Sequence, residues 1–189
     1  MQLRWTLLRS VVAIVASTVA PSRVIGAQSP QVTLSAGMVV PAAAFRPLYA
    51  SGPAAQASFF FGHSGSRTRL RADLESAWLV GRNKTSPPNS PVASLQVMSA
   101  IASLVIAAPR PGVSPYFSTG VAVQRLTRAN DTNPYGTTFG LRAGGGVRWR
   151  ARRLCLQLEV TPHLTLTDYG SAQDFAAGAY IPIFFGLGF

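Results

Sequence analysis

Along much of the chain, apolar residues alternate with polar or small ones at a period of two, the signature of half-buried strands. From Gln31 to Val40, one face carries Val32, Leu34, Ala36, Met38 and Val40, and the other carries Thr33, Ser35 and Gly37. Between Ala55 and Gly62, Ala57, Phe59 and Phe61 alternate with Gln56, Ser58 and Phe60. A third segment sets Leu70, Ala72, Leu74 and Trp78 against Arg69, Arg71, Asp73 and Glu75, four charges on one face. Residues 92–106 read as a further strand or as a short buried helix, because an apolar run alone does not separate the two. Its neighbours favour a strand.

The pattern continues to the end of the chain. Within Ser114–Arg125, Phe117, Val121 and Val123 oppose Tyr116, Ser118, Gly120 and Gln124. Within Thr137–Arg150, Phe139, Leu141, Ala143, Val147 and Trp149 oppose Arg142, Gly144, Arg148 and Arg150. Leu154, Leu156, Leu158 and Val160 then oppose Cys155, Gln157, Glu159 and Thr161, and Ala177–Phe189 aligns Ile181, Ile183, Phe185, Leu187 and Phe189. That makes eight segments of a length suited to tilted membrane strands of ~9–11 residues. The connections at 41–54, 80–91, 126–136 and 162–176 are long, whereas those at 63–68, 107–113 and 151–152 are short. This rhythm is that of a transmembrane barrel with long outer loops and short periplasmic turns. The expected fold is therefore all-β, an eight-stranded antiparallel up-and-down transmembrane β-barrel, with both mature termini in the periplasm.

Register can be read from two of the turns. Centring one on Gly65-Ser66 opposes Phe60 to Arg71, Ser58 to Asp73 and Gln56 to Glu75. Centring another on Ala151-Arg152 opposes Gly144 to Glu159 and Trp149 to Leu154. Both settings keep apolar faces together, as they must, since a one-residue slip of pairing flips every side chain.

Composition supports the membrane reading. Charged residues make up 12% of the 189 residues, about half of the ~25% usual in soluble domains. No apolar run reaches the ~18 residues of a helical span. The net charge of +11 comes from 17 Lys+Arg against 6 Asp+Glu. Apart from the stretch between Arg148 and Arg153 the arginines are dispersed, so a nucleic-acid partner is not expected. Outer-membrane lipid and lipopolysaccharide phosphates suit them better, because arginine pairs bidentately with phosphate.

Residues 1–27 read as a signal peptide. Arg4 and Arg9 precede the apolar run Val11–Ala20, and cleavage after Ala27 leaves residues 28–189 as the barrel. The single Cys155 forms no intrachain disulfide and reads as a small buried filler; no cluster suggests a metal, and no cofactor is expected. The glycines at 144–146 lack the Lys-Ser/Thr that follows in a phosphate-binding loop. Along with Gly120, Gly140, Gly186 and Gly188 they read as room in a crowded interior. Tyr116, Trp149, Tyr180 and Trp78 are expected at the membrane interfaces.

The inward face then holds Arg69, Arg71, Asp73, Glu75, Arg142, Arg148, Gln157 and Glu159. An unpaired buried charge costs several kcal/mol, so each carboxylate should meet an arginine, Glu159 reaching Arg142 diagonally. The main reading of this interior is a salt-bridged plug; a gated, porin-like ion path is the alternative.

SPYFSTGVAV at 114–123, FGLRAGGGVRW at 139–149, LQLEV at 156–160 and AYIPIFFGLGF at 179–189 resemble the recurring segments of the OmpA/OmpX-like outer-membrane β-barrel domain family. Beside a main functional reading that is non-enzymatic, without catalytic residues and structural or surface-interacting in role, the resemblance implies a Gram-negative outer-membrane barrel. It also implies recognition by the barrel-assembly machinery through a last strand ending at Phe189. His163-Leu164-Thr165 is similar to the His-x-Ser motif of the lipid A deacylases, also eight-stranded barrels, with Asp168 or Asp174 as candidate acids. That alternative makes the protein a lipid A-modifying esterase using His163 and Thr165. A third reading, a secreted soluble lipocalin-like barrel, requires Arg71, Asp73, Glu75 and Glu159 to face water. His63, in a short turn, reads as solvent-facing.

Overall fold

A computed structural model describes residues 31–62, 66–82, 93–108, 112–128, 136–151, 154–168 and 175–188. The expected signal peptide, His63, Asp174 and Phe189 lie outside the described residues, and the side chain of Asp168 is likewise not described. The strands are β1 (Gln31–Ala43), β2 (Tyr49–Ala50), β3 (Gly52–Phe61), β4 (Thr68–Gly81), β5 (Leu95–Ala107), β6 (Val113–Arg128), β7 (Gly136–Ala151), β8 (Leu154–Val160), β9 (His163–Asp168) and β10 (Phe175–Gly188). With β2 leading into β3 and β8 into β9, the ten segments form eight staves. Each pairs antiparallel with its neighbours, and β1 pairs with β10 from Thr33↔Gly188 to Ala43↔Gly178, which closes the ring. Closure removes the free sheet edges and satisfies the backbone hydrogen bonding that lipid cannot.

The weak fourth segment is a strand, β5, with inward Val97, Ser99, Ile101, Ser103 and Val105 alternating with outward Met98, Ala100, Ala102 and Leu104. The first register expectation holds residue for residue: Phe60↔Arg71, Ser58↔Asp73 and Gln56↔Glu75 pair across β3 and β4. The second is displaced. Glu159 pairs with Gly146 and Trp149 with Leu156, because β7 runs through Ala151, which pairs with Leu154. Moving the turn centre by one residue shifts the pairing by two, so every side chain keeps its face.

The staves are longer at the end of the long connections than the sequence suggested. β9 lies wholly within 162–176, which had read as loop. Pro162 lacks an N–H and interrupts the ladder, but it does not end the stave. Its carbonyl accepts from the Ala143 N–H at 3.2 Å, and the adjacent Thr161 N–H donates to the Pro182 carbonyl at 3.1 Å. Likewise the segment 44–48, expected as outer loop, is a compact turn. Phe45 donates to the Ala42 carbonyl and Tyr49 to the Phe45 carbonyl, at 3.0 and 2.9 Å. This turn delivers the Phe45 and Tyr49 side chains into the buried apolar cluster.

Outward positions form an exposed apolar belt: Leu34, Met38, Leu70, Leu74, Met98, Leu104, Phe117, Val121, Phe139, Leu141, Leu158, Leu164, Phe185 and Leu187 among them. A soluble monomer rarely exposes a contiguous apolar patch beyond a few hundred Å², and this belt continues over every stave. The charged faces point inward, which overturns the soluble lipocalin-like reading.

Candidate functional site: the layered lumen

Eight staves leave an interior just wide enough for side chains to fill, so its chemistry can be followed layer by layer. At the end of the long connections, Val39, Phe45, Tyr49, Ala54, Ala77, Leu79, Leu95, Val97 and Leu126 are buried together. Phe45 and Tyr49 meet edge to face, with ring centroids 5.8 Å apart. The Phe45 ring lies over Gly178, where any Cβ would collide with it. Glycine there is what admits the ring.

Below this apolar cap lies a small polar group that the sequence did not signal as a unit. His163 stacks on Tyr180 (centroids 4.7 Å, interplanar angle 19°), and its Nε2 is 3.4 Å from Glu75 Oε2. The Tyr180 hydroxyl accepts from Gln124 Nε2 at 2.9 Å and lies 3.4 Å from Ser99 Oγ. Two expectations change here. Glu75 meets a histidine and not an arginine. Tyr180 is fully buried in the lumen, not at the membrane interface, because it shares the inward parity of Phe184 and Gly186. His163, expected within the 162–176 connection, is also buried, because β9 extends the wall beyond it.

The centre is a closed ring of ions. Arg71 Nε donates to Asp73 Oδ2 at 2.9 Å, and its Nη1 and Nη2 donate to Glu159 Oε2 and Oε1 at 3.0 and 2.7 Å. Arg142 completes the circuit, donating to Asp73 Oδ2 and Glu159 Oε1, each at 2.6 Å. All four side chains are fully buried. Two cations and two anions neutralise one another, and each carboxylate serves both guanidinium groups. Gln157 Nε2 adds a bond to Glu159 Oε2 at 2.6 Å. The expected Arg142–Glu159 contact forms despite the displaced register, because both side chains are long enough to reach along the lumen axis.

Toward the short turns, Arg148 lies 3.9 Å above the Phe60 ring and 4.7 Å from the Tyr116 ring, and donates from Nε to Gln157 Oε1 at 3.1 Å. Tyr116 is buried here, so it too is a lumen residue and not an interfacial one. Gly146 makes room for it, since a Cβ at that position would stand 2.7 Å from the Tyr116 hydroxyl. Trp78 and Trp149 do face outward, near opposite ends of their staves. Arg150, expected on the inward face, is exposed at the rim. Cys155 is buried, as expected of a filler.

The candidate esterase residues are both inside the barrel: His163 and Thr165 occupy successive inward positions of β9. No hydrogen bond joins them, and Thr165 Oγ1 has no hydrogen-bond partner among the described residues. A hydroxyl nucleophile needs a base within hydrogen-bonding reach, and this arrangement does not supply one. No group of three or more metal-ligating side chains occurs among the described residues.

No family model matches the chain, and no curated protein matches it. Solved structures do. Neisserial surface protein A aligns with a TM-score of 0.62 at 14% identity, over 86% of this chain and 97% of that one. OprG, an outer membrane protein from Pseudomonas aeruginosa, aligns at 0.53 and 9% identity, over 87% of this chain and 98% of its own. The outer membrane enzyme PagL aligns at 0.52 and 17% identity, over 82% and 97%. At these identities the likeness is one of fold. The ring of antiparallel staves, its apolar exterior and its packed polar lumen thus give this chain the fold of the eight-stranded outer-membrane β-barrels, the architecture implied by the OmpA/OmpX-like segments.

Proposed function

We propose that the protein is an integral outer-membrane barrel with a non-enzymatic role, structural or surface-interacting, whose lumen is a plug and not a path. The observation that carries this reading is the inverted polarity of the wall. Leucines and phenylalanines face out on every stave, while Arg71, Asp73, Arg142 and Glu159 neutralise one another inside. The apolar cap and the ion ring stand in series along the axis, which favours a barrel that does not conduct.

The reading extends to topology. Residues 1–27 direct export and are cleaved after Ala27, the last strand ending at Phe189 engages the barrel-assembly machinery, and both mature termini lie in the periplasm. Lipopolysaccharide contacts the loop end. Two experiments test the core of the proposal. The protein should fractionate with the outer membrane and migrate differently on gels before and after heating in detergent; aqueous partitioning with no mobility shift would overturn it. Arginine at outward position 74, midway along β4, should cost about 2–4 kcal/mol if that surface meets the bilayer core, read as a lower urea midpoint in lipid vesicles. An unchanged midpoint would place Leu74 in water.

The likeness to PagL, described as an enzyme, keeps a second reading open: lipid A hydrolysis using His163 and Thr165. Mass spectrometry of lipid A from cells with and without the protein decides it, an unchanged acyl pattern removing the esterase.

A further inference from the structure

The turn end of the barrel has an excess of positive charge that nothing in the chain's described part neutralises. Arg67, Arg69, Arg148 and Arg150 belong to this end of β4 and β7. The sequence adds Arg110 to the β5–β6 connection and Arg152 and Arg153 to the β7–β8 connection, with no Asp or Glu in any of the short turns. The nearest acidic layer, that of Asp73 and Glu159, is already committed to Arg71 and Arg142.

Within this end, Arg148 is the informative residue. The residue is only 6% exposed, and Nε is spent on Gln157, yet neither Nη1 nor Nη2 has a hydrogen-bond partner among the described residues. Gln157 in turn directs its own amide nitrogen to Glu159. Arg69 stands beside the same platform, 5.4 Å over the Phe60 ring. Its Nη1 donates to Gln31 at 3.3 Å and its buried Nε has no partner. Two guanidinium groups are thus held at one aromatic platform, Arg148 with both terminal nitrogens unfilled and Arg69 with its Nε unfilled. Stacking orients an arginine without replacing the hydrogen bonds that water or an anion would give it.

We propose that the turn end of the lumen is an anion-binding site for a phosphate group, in which Arg148 and Arg69 are the binding residues and Phe60 and Tyr116 the platform. Arginine's planar fork matches two phosphate oxygens at once, and the unfilled fork of buried Arg148, with the Arg69 guanidinium beside the same ring and no carboxylate opposite, selects an anion. The phosphate belongs either to a free phosphate compound or to the headgroup of an anionic phospholipid in the adjoining leaflet.

The chain carries its own probe. Cys155 is the sole cysteine; it is inward on β8, opposite Arg150 and two residues from Gln157. In uncharged micelles, the folded full-length barrel is treated with negatively and positively charged thiosulfonate reagents of similar size. A one-signed cleft concentrates counter-ions by about tenfold or more, so the anionic reagent should react with Cys155 faster by about that factor. Arg148→Gln and Arg69→Gln should each lower the ratio, and together bring it close to one. The heat-dependent gel shift verifies that each variant is folded, and Arg148→Lys, which keeps the charge but not the fork, should retain most of the ratio.

Inorganic phosphate and short-chain phosphatidylglycerol are then added separately, with acetate at equal ionic strength as control. Protection of Cys155 by phosphate identifies a free phosphate ligand, and protection by the lipid alone identifies a headgroup. Either result supports the site, provided that Arg148→Gln abolishes it. Equal reagent rates, or protection no greater than that of acetate, would overturn it.

Discussion

The two halves of the lumen solve the same filling problem with opposite chemistry. At the loop end, Val39, Phe45, Leu79, Val97 and Leu126 pack as an ordinary apolar core inside a wall whose outer face is also apolar. Toward the turn end, the same eight-stave cross-section is occupied by arginines, carboxylates and glutamine, with the arginines nearest the turns stacked on Phe60 and Tyr116. Apolar packing is tolerant, because a neighbour can relax into lost volume. A ring of buried ions is not, because each member supplies the charge that compensates the others. The comparison predicts that stability is concentrated in a few side chains at the charged end and distributed at the apolar end.

Removal of one ring member should therefore have the largest effect. Glu159 accepts from Arg71, Arg142 and Gln157. Glu159→Ala leaves two buried guanidinium groups with Asp73 as their one carboxylate partner among the described residues, and breaking a buried ion pair costs about 3–5 kcal/mol. The urea midpoint of the folded band on unheated gels should fall accordingly. Replacing Arg71, Asp73, Arg142 and Glu159 together with apolar residues of similar volume should cost far less than Glu159→Ala alone. A large loss in the quadruple variant would mean that the ring contributes more than the avoidance of unpaired charge.

The apolar half gives the next effect. Phe45→Ala removes the ring packed on Tyr49 and Gly178, and Phe→Ala changes in cores cost about 3–5 kcal/mol. The loss should sit at the lower end of that range, because the turn at 44–48 can settle into the space. Phe45→Leu should recover most of it, whereas no conservative change at Glu159 should do so. Equal rescue at both positions would erase the distinction between the halves.

Much of this architecture was legible in the chain. Period-two alternation located seven of the eight staves, the fourth being assigned from its neighbours, and parity placed Arg71, Asp73, Arg142 and Glu159 on the inner face. The β3–β4 register followed from centring the turn on Gly65-Ser66, whereas face consistency alone left β7–β8 free to shift by two. What escaped was whatever alternation does not encode. Pro162 looked like a strand end because a missing N–H usually is one, so β9 and the buried position of His163 were hidden behind it. Phe45 and Tyr49 stand in a turn, where no period indicates which way a side chain points. Tyr180 and Tyr116 were assigned by residue type to the interface although their parity pointed inward, and parity was the better guide.

The smallest effect separates two carboxylates within the polar half. Glu75 and Glu159 are both buried on the inner face, yet they differ in what they touch. Glu159 accepts four hydrogen bonds. Glu75 has His163 at 3.4 Å without hydrogen-bond geometry, and neither of its oxygens has a hydrogen-bond partner among the described residues. An isosteric amide removes the charge and keeps the volume. Glu75→Gln should therefore shift stability by no more than about 1 kcal/mol, the net worth of an ordinary hydrogen bond, and a modest gain is compatible with relief from burying a poorly solvated charge. Glu159→Gln leaves the ring with an uncompensated cation and should cost several times as much. The two variants differ only in which carboxylate loses its charge, so comparing their urea midpoints isolates the contribution of the ring. Equal losses would mean that Glu75 is bound as firmly as Glu159, and that the charged region extends up to His163 and Tyr180 instead of ending at the ring.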